Sequence, residues 1–173
     1  MRKQIQESSC LSKTLGAILA VALFIALLPI LLFATPFLFA AWGLERLKKQ
    51  RLRNRFHARW GAEGKRLLLV YSNSPHWQSY IEERWLPRLG PAAIVINWSE
   101  RARWSEHHPL EAEIFRVWAG QREFNPVAII LPKRGKVEVI RFWQAFRDYK
   151  HGKTQALRRA EMELEAAAGV SLL

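Results

Sequence analysis

Cysteine is nearly absent from this chain: Cys10 is the single thiol among 173 residues. No intramolecular disulfide and no cysteine-built metal cage can therefore form, which fits a reducing compartment. A Gly-rich phosphate-binding loop is missing too, as are internal repeats and low-complexity tracts. Charge is missing from one long stretch, with no charged residue between Lys13 and Glu45. Acidic groups are few overall, 15 Asp and Glu against 27 Lys and Arg, leaving a formal net charge of +12. Hydrophobic residues nevertheless make up 50% of the chain, which excludes disorder as the default. Residues 45–173 are enough for one compact domain and short for two.

The uncharged stretch Leu15–Leu44 is the strongest single signal. A bilayer core requires about 20 apolar residues as a helix. Thirty residues at about 1.5 Å each reach about 45 Å, beyond a core of about 30 Å. Tilt, or ends lying in the interfaces, would absorb the excess. Pro29 and Pro36 each remove a backbone donor, so a kink or a hairpin that dips and returns is an open alternative to a spanning helix. Trp42 stands where an interfacial aromatic belongs. A cleaved signal peptide fits poorly, because its apolar core is about 7–15 residues and the Arg/Lys run that follows here opposes translocation.

That run holds most of the excess charge. Residues 45–66 carry nine Lys and Arg against Glu45 and Glu63. Arg46, Lys48, Lys49, Arg51, Arg53, Arg55 and Arg59 follow the apolar stretch, whereas only Arg2, Lys3 and Lys13 precede it. The positive-inside rule then places the C-terminal part in the cytoplasm. The expectation is a single-pass protein of a bacterial inner membrane, with these cations on anionic lipid headgroups at about 1 kcal/mol each. Placement beside the apolar segment explains the basicity, so no nucleic-acid partner is expected. Cys10 is either an unmodified tail thiol or a site of acylation near the membrane. Leu52, Phe56 and Trp60 recur every four residues and draw one apolar stripe along a basic helix. Two readings fit it: an amphipathic helix lying on the membrane surface, or a solvated extension of the membrane helix.

Beyond Gly61 and Gly64 the pattern alternates. Leu67–Ser72 reads as a strand buried on both faces. Ser74 and Pro75 read as N-cap and first position of a helix reaching about Arg88. Ala92–Trp98 is a second buried strand, Ser99–Pro109 a polar loop, and Leu110–Ala119 a helix closed by Gly120. Pro126–Pro132 and Val137–Phe142 are strands joined by a turn at Arg134-Gly135. Helices at Trp143–Lys150 and at residues 154–168 finish the chain, the last with Leu157, Ala160 and Leu164 on one side, to pack on the domain or bind another helix. The order βαβαββα implies a parallel pair from the crossovers and an antiparallel pair from the short 133–136 link.

Over residues 67–152, half the chain, this order resembles the thioredoxin fold. Phe124-Asn125-Pro126-Val127 puts Pro126 where that family carries a cis-proline, immediately before the strand that opens the final hairpin. The expected class is α/β: a transmembrane helix (residues 15–44) after a tail (1–14), a basic juxtamembrane helix (45–64), a thioredoxin-like domain (65–152) and a C-terminal helix (153–173). The family's Cys-x-x-Cys position reads Ser72-Asn73-Ser74-Pro75-His76-Trp77 and has no thiol. Dithiol exchange requires a thiolate nucleophile. The resemblance thus implies a binding or scaffolding member and no redox cofactor.

Four constellations carry possible chemistry. Ser72, Asn73, Ser74 and His76 lie between a strand end and a helix start, a place that suits either an anion or an ordinary cap. Ser74 with His76 has no identifiable orienting acid, so a catalytic role is not assigned. Glu106, His107, His108, Glu111 and Glu113 have donors but Pro109 interrupts them, and a solvated loop without metal is expected. Trp77, Trp98, Arg101 and Trp104 lie beside the strands' C-terminal edge, where open α/β sheets bind ligands, and Trp and Arg are enriched at binding hot spots. Trp85, Trp118 and Phe142 are expected in the core. The expected function is a non-redox module that binds a protein partner through Ser74, His76, Trp77, Trp98, Arg101, Trp104 and Pro126. An enzyme or ligand-binding protein acting on a phosphorylated or otherwise anionic substrate near the bilayer is the alternative.

Overall fold

The computed structural model describes residues 2–120 and 125–169. The chain divides into two compact units, Met1–Lys48 and Lys49–Leu173. The described residues of the first are helical. Helix α1, Arg2–Trp60, runs through Pro29 and Pro36 without reversal, so the hairpin is not formed. It is long and apolar enough to cross a membrane, and none of its apolar window is buried. Phe37, Leu38 and Phe39, three successive residues and hence three directions around the helix, are 74%, 68% and 67% exposed. A helix apolar on all sides suits a lipid environment.

The second unit is mixed α/β. Strand β1 (Leu67–Tyr71) leads through a helical segment α2 (residues 78–89) to β2 (Ala93–Asn97). Then come a 3-10 stretch (Trp98–Arg103), a helical turn α3 (Trp104–His107) and helix α4 (Pro109–Trp118). Strands β3 (Val127–Ile130) and β4 (Glu138–Arg141) precede α5 (Trp143–Lys150) and α6 (Gln155–Ala168). The sheet order is β2-β1-β3-β4. β1 and β2 are parallel, with Leu67 opposite Ala93 and Tyr71 opposite Asn97. β3 runs antiparallel to both β1 and β4. β1 is central and buried along its whole length, as a continuous apolar run requires. Gly135 turns the β3–β4 connection at φ +98°, a backbone state open mainly to glycine.

Side-chain alternation assigns β1 to two cores. Leu67, Leu69 and Tyr71 face Ile81, Trp85 and Leu89 of α2, Phe142 and Phe146, and Leu157 and Leu164 of α6. Leu68 and Val70 face Leu110, Ile114 and Phe115 of α4, and also Leu52 and Phe56 of α1. That last contact corrects both readings of the juxtamembrane stripe. Leu52 and Phe56 are 2% and 0% exposed, and they cover one face of the sheet. The terminal helix likewise packs on the other face, so the compact unit extends beyond residues 65–152 at both ends.

Segment α2 runs as an α turn (Gln78–Tyr80), a π turn (Ile81–Trp85) and a further α turn (Leu86–Leu89). Pro87 has no N–H for the carbonyl four residues before it, and the wider π turn lies beside that break. Ile81 and Trp85 both point inward from it, fully buried. Residues 99–109 are not the polar loop that their composition suggests. Asn97 Oδ1 accepts from the Ser99 N–H at 2.9 Å, starting the 3-10 stretch. Trp104, 4% exposed, anchors the following turn in the core.

Candidate functional site

The loops after β1 and β2 lie side by side because their strands are parallel neighbours. Three polar side chains join them. The Asn73 N–H donates to Ser99 Oγ at 3.0 Å, the Asn97 amide donates to Asn73 Oδ1, and Asn97 Oδ1 holds the Ser99 N–H. In the first loop, Ser74 Oγ accepts from the backbone N–H of His76 at 3.4 Å. Its carbonyl accepts from the Gln78 N–H at 2.9 Å. Ser74 thus caps a turn, and regular helix begins only at Gln78. The hydroxyl's partner is a backbone N–H, so this bond does not make a Ser–His nucleophile.

His76 is exposed, and its ring stands 6.3 Å from that of half-buried Trp77. The Trp77 indole donates to the Ser72 carbonyl at 3.1 Å and packs on Phe146 at 6.1 Å. In the second loop, exposed Arg101 lies over the ring of half-buried Trp98, 5.2 Å from its centroid. Trp98 in turn meets Trp104 and Phe115, each at 5.3 Å between centroids.

Two of the expected contact residues are not available to a partner. Trp104 is buried, its indole donating to the Asn97 carbonyl at 3.0 Å. It fills the core because it closes the hydrogen bonding at the end of β2. Pro126 is buried after a cis peptide bond with Asn125, and its carbonyl accepts from the Phe142 N–H at 2.9 Å. Of the aromatics expected inside, Trp85 and Phe142 are buried and Trp118 is half-buried.

The basic run divides. Arg53 donates to the Gly135 carbonyl at 2.8 Å, Arg55 pairs with Glu113 at 3.3 Å, and Arg59 lies over Trp60 at 4.8 Å. These three serve contacts within the second unit. Arg46 lies over Trp42 at 5.3 Å in the first unit, and Lys48, Lys49 and Arg51 complete the run. The His/Glu group also disperses. Glu111 is fully buried and accepts from the Trp60 indole at 2.7 Å, His107 meets the Arg103 carbonyl, and Glu113 faces Arg55. Among the described residues no three His, Cys, Asp or Glu side chains are grouped to hold a metal ion.

A second polar centre escaped the pattern of the sequence. Glu161, 7% exposed, accepts from Tyr80 OH and from the Trp85 indole, both at 2.8 Å. Its only signal was a carboxylate standing on the Leu157–Leu164 stripe of α6. Beside it opens a cavity of about 650 Å³. On the other side of α2, Tyr71 OH donates to Glu82 at 2.9 Å. Burial and these carboxylate acceptors raise both Tyr71 and Tyr80 from 10.0 to about 12. The unfolded chain would lose these protons near 10, the folded chain only near 12. Stability is therefore fully present below pH 10 and falls as pH rises towards 12. Urea midpoints measured across that window should drop. Tyr71→Phe should flatten the drop, and an unchanged slope in that variant would refute the linkage.

Comparison with protein-family models, with curated proteins and with solved structures finds no match to this chain. The class established by the structure is an α/β unit with a four-stranded mixed sheet, preceded in the chain by a helix long and apolar enough to cross a membrane.

Proposed function

We propose that this chain is a membrane-anchored, non-redox module of thioredoxin-like fold that binds a protein partner from the cytoplasmic side. The thioredoxin-like assignment rests on the strand order β2-β1-β3-β4, the parallel β1–β2 pair, the antiparallel β3–β4 hairpin and the place of Pro126 directly before β3. The non-redox part rests on the thiol-free stretch Ser72–Trp77. Anchoring rests on the all-round apolar surface of α1, and sidedness on the cations Arg46, Lys48, Lys49 and Arg51, which would meet anionic headgroups.

One observation carries the partner reading. The Asn73–Asn97–Ser99 bonds join two loops at one edge of the sheet; in one loop Arg101 is held over a half-exposed Trp98, and in the other exposed His76 stands by Trp77. A guanidinium stacked on an indole is pre-ordered, so less side-chain entropy is lost on binding. Ser74, the turn's cap, positions His76 on this surface.

Photocrosslinking residues at His76 and Glu100, in the full chain in its native membranes, would test it. The expected result is a discrete adduct from both positions, lost on Arg101→Glu and not formed from Lys136 on the hairpin. Equal labelling from Lys136, or indifference to Arg101→Glu, would reject this surface. The chain should also remain in alkaline-washed membranes.

A further inference from the structure

The cavity beside Glu161 lies between α2 and α6, away from the Trp98 surface, and its wall has a definite chemistry. Arg84, Arg88 and Arg158 stand around it, all exposed. Tyr149, Leu157 and Met162 supply apolar wall. Its volume, about 650 Å³, lies within the range of small-molecule sites. Arg84 is held over the Tyr80 ring at 4.9 Å. The guanidinium groups of Arg88 and Arg158 make no ion pair or hydrogen bond among the described residues. Two carboxylates also line the space, Glu161 and Glu165. Glu161 already accepts two hydrogen bonds, and Glu165 has an interaction of its own. Three guanidinium groups against two engaged carboxylates leave the cavity rim cationic.

We propose that this cavity is a binding site for an organic phosphate. The phosphoryl oxygens meet Arg84, Arg88 and Arg158, whose planar forks match that geometry. The organic portion lies against Tyr149, Leu157 and Met162. The phosphoryl group belongs either to a soluble ester or to a phosphomonoester lipid headgroup, and the chemistry of recognition is the same for both.

The test uses the purified full chain in detergent micelles, titrated with 1-naphthyl phosphate and with uncharged 1-naphthol. Saturable binding of the phosphate alone is expected. Arg88→Gln and Arg158→Gln should each weaken it about tenfold, the scale of one lost charge-assisted hydrogen bond. Arg134→Gln, which removes an equal charge from the β3–β4 connection, should leave it unchanged. Urea midpoints equal to the parent show that the variants are folded. Displacement of the probe by phosphatidic acid in mixed micelles identifies the lipid as source, and binding indifferent to it identifies a soluble ester. Equal binding of 1-naphthol, absence of binding of both probes, or the same affinity in Arg88→Gln and Arg158→Gln as in Arg134→Gln overturns the proposal.

Discussion

Replacing Phe56 by alanine is expected to lower the unfolding free energy of the Lys49–Leu173 unit by about 3–5 kcal/mol, the usual cost of emptying a buried phenylalanine site. Phe56 is fully buried, and with Leu52 it packs among Leu68, Val70, Ile114 and Phe115. Total stabilities of small domains are only about 5–15 kcal/mol, so this one truncation removes a large share. Urea unfolding of the full chain in micelles, followed by tryptophan fluorescence, would measure it. Leu47→Ala, at a residue 54% exposed, should leave the midpoint in place. The comparison separates two destinations for one helical stripe. A Phe56 side chain resting on a bilayer would alter lipid partitioning and leave the unfolding midpoint alone, and that outcome would refute the packing described above.

Glu161→Leu is the second large effect. The substitution roughly conserves volume but removes the acceptor shared by Tyr80 and Trp85. The Trp85 side chain is fully buried, so its indole N–H has no water to turn to. An orphaned buried donor of this kind costs about 1–3 kcal/mol. Tyr80 is only partly buried and can rotate its hydroxyl towards solvent. Glu161→Gln keeps an acceptor oxygen and should lose less. The double variant Glu161→Leu with Trp85→Phe removes donor and acceptor together. It should be more stable than the sum of the single losses, since replacing both partners by apolar groups is often near neutral. Strict additivity in that cycle would show that the 2.8 Å contact carries no coupling. The Glu161 variants should also bring Tyr80 down from about 12, because the carboxylate is one of the groups that raises it.

These two residues also show where reading the chain as a sequence stops. The order of strands and helices was legible because each element announces itself locally. Leu67–Tyr71 is a short apolar run, and the β3–β4 link turns at Arg134-Gly135. The edge where two loops meet was legible as well, since parallel neighbouring strands bring their C-terminal ends together. Leu52 and Phe56 were legible only as a stripe. Periodicity states that one face of a helix is covered, but a lipid surface and a sheet draw the same pattern. Whether Trp104 fills the core or faces a partner was open in the sequence for a related reason: it sits in a polar stretch, and its burial follows from the Asn97 carbonyl and from Trp98 and Phe115 around it.

What the sequence determined by itself is local. The uncharged length after Lys13, the cations that follow it and the lack of a thiol at Ser72–Trp77 are properties of adjacent residues. Neither a lipid-compatible helix nor the exclusion of dithiol chemistry requires knowledge of distant partners. Only the tertiary structure decided which polar groups are buried and which cations converge. Trp60 meets Glu111 across 51 residues, Trp85 meets Glu161 across 76, and Tyr80 meets Glu161 across 81. Arg84 and Arg158 border one cavity only because α2 and α6 pack on the same face of the sheet. The physical reason is that a buried charge or donor is tolerated only beside its partner. That partner is chosen by how the helices stack, which no local pattern encodes.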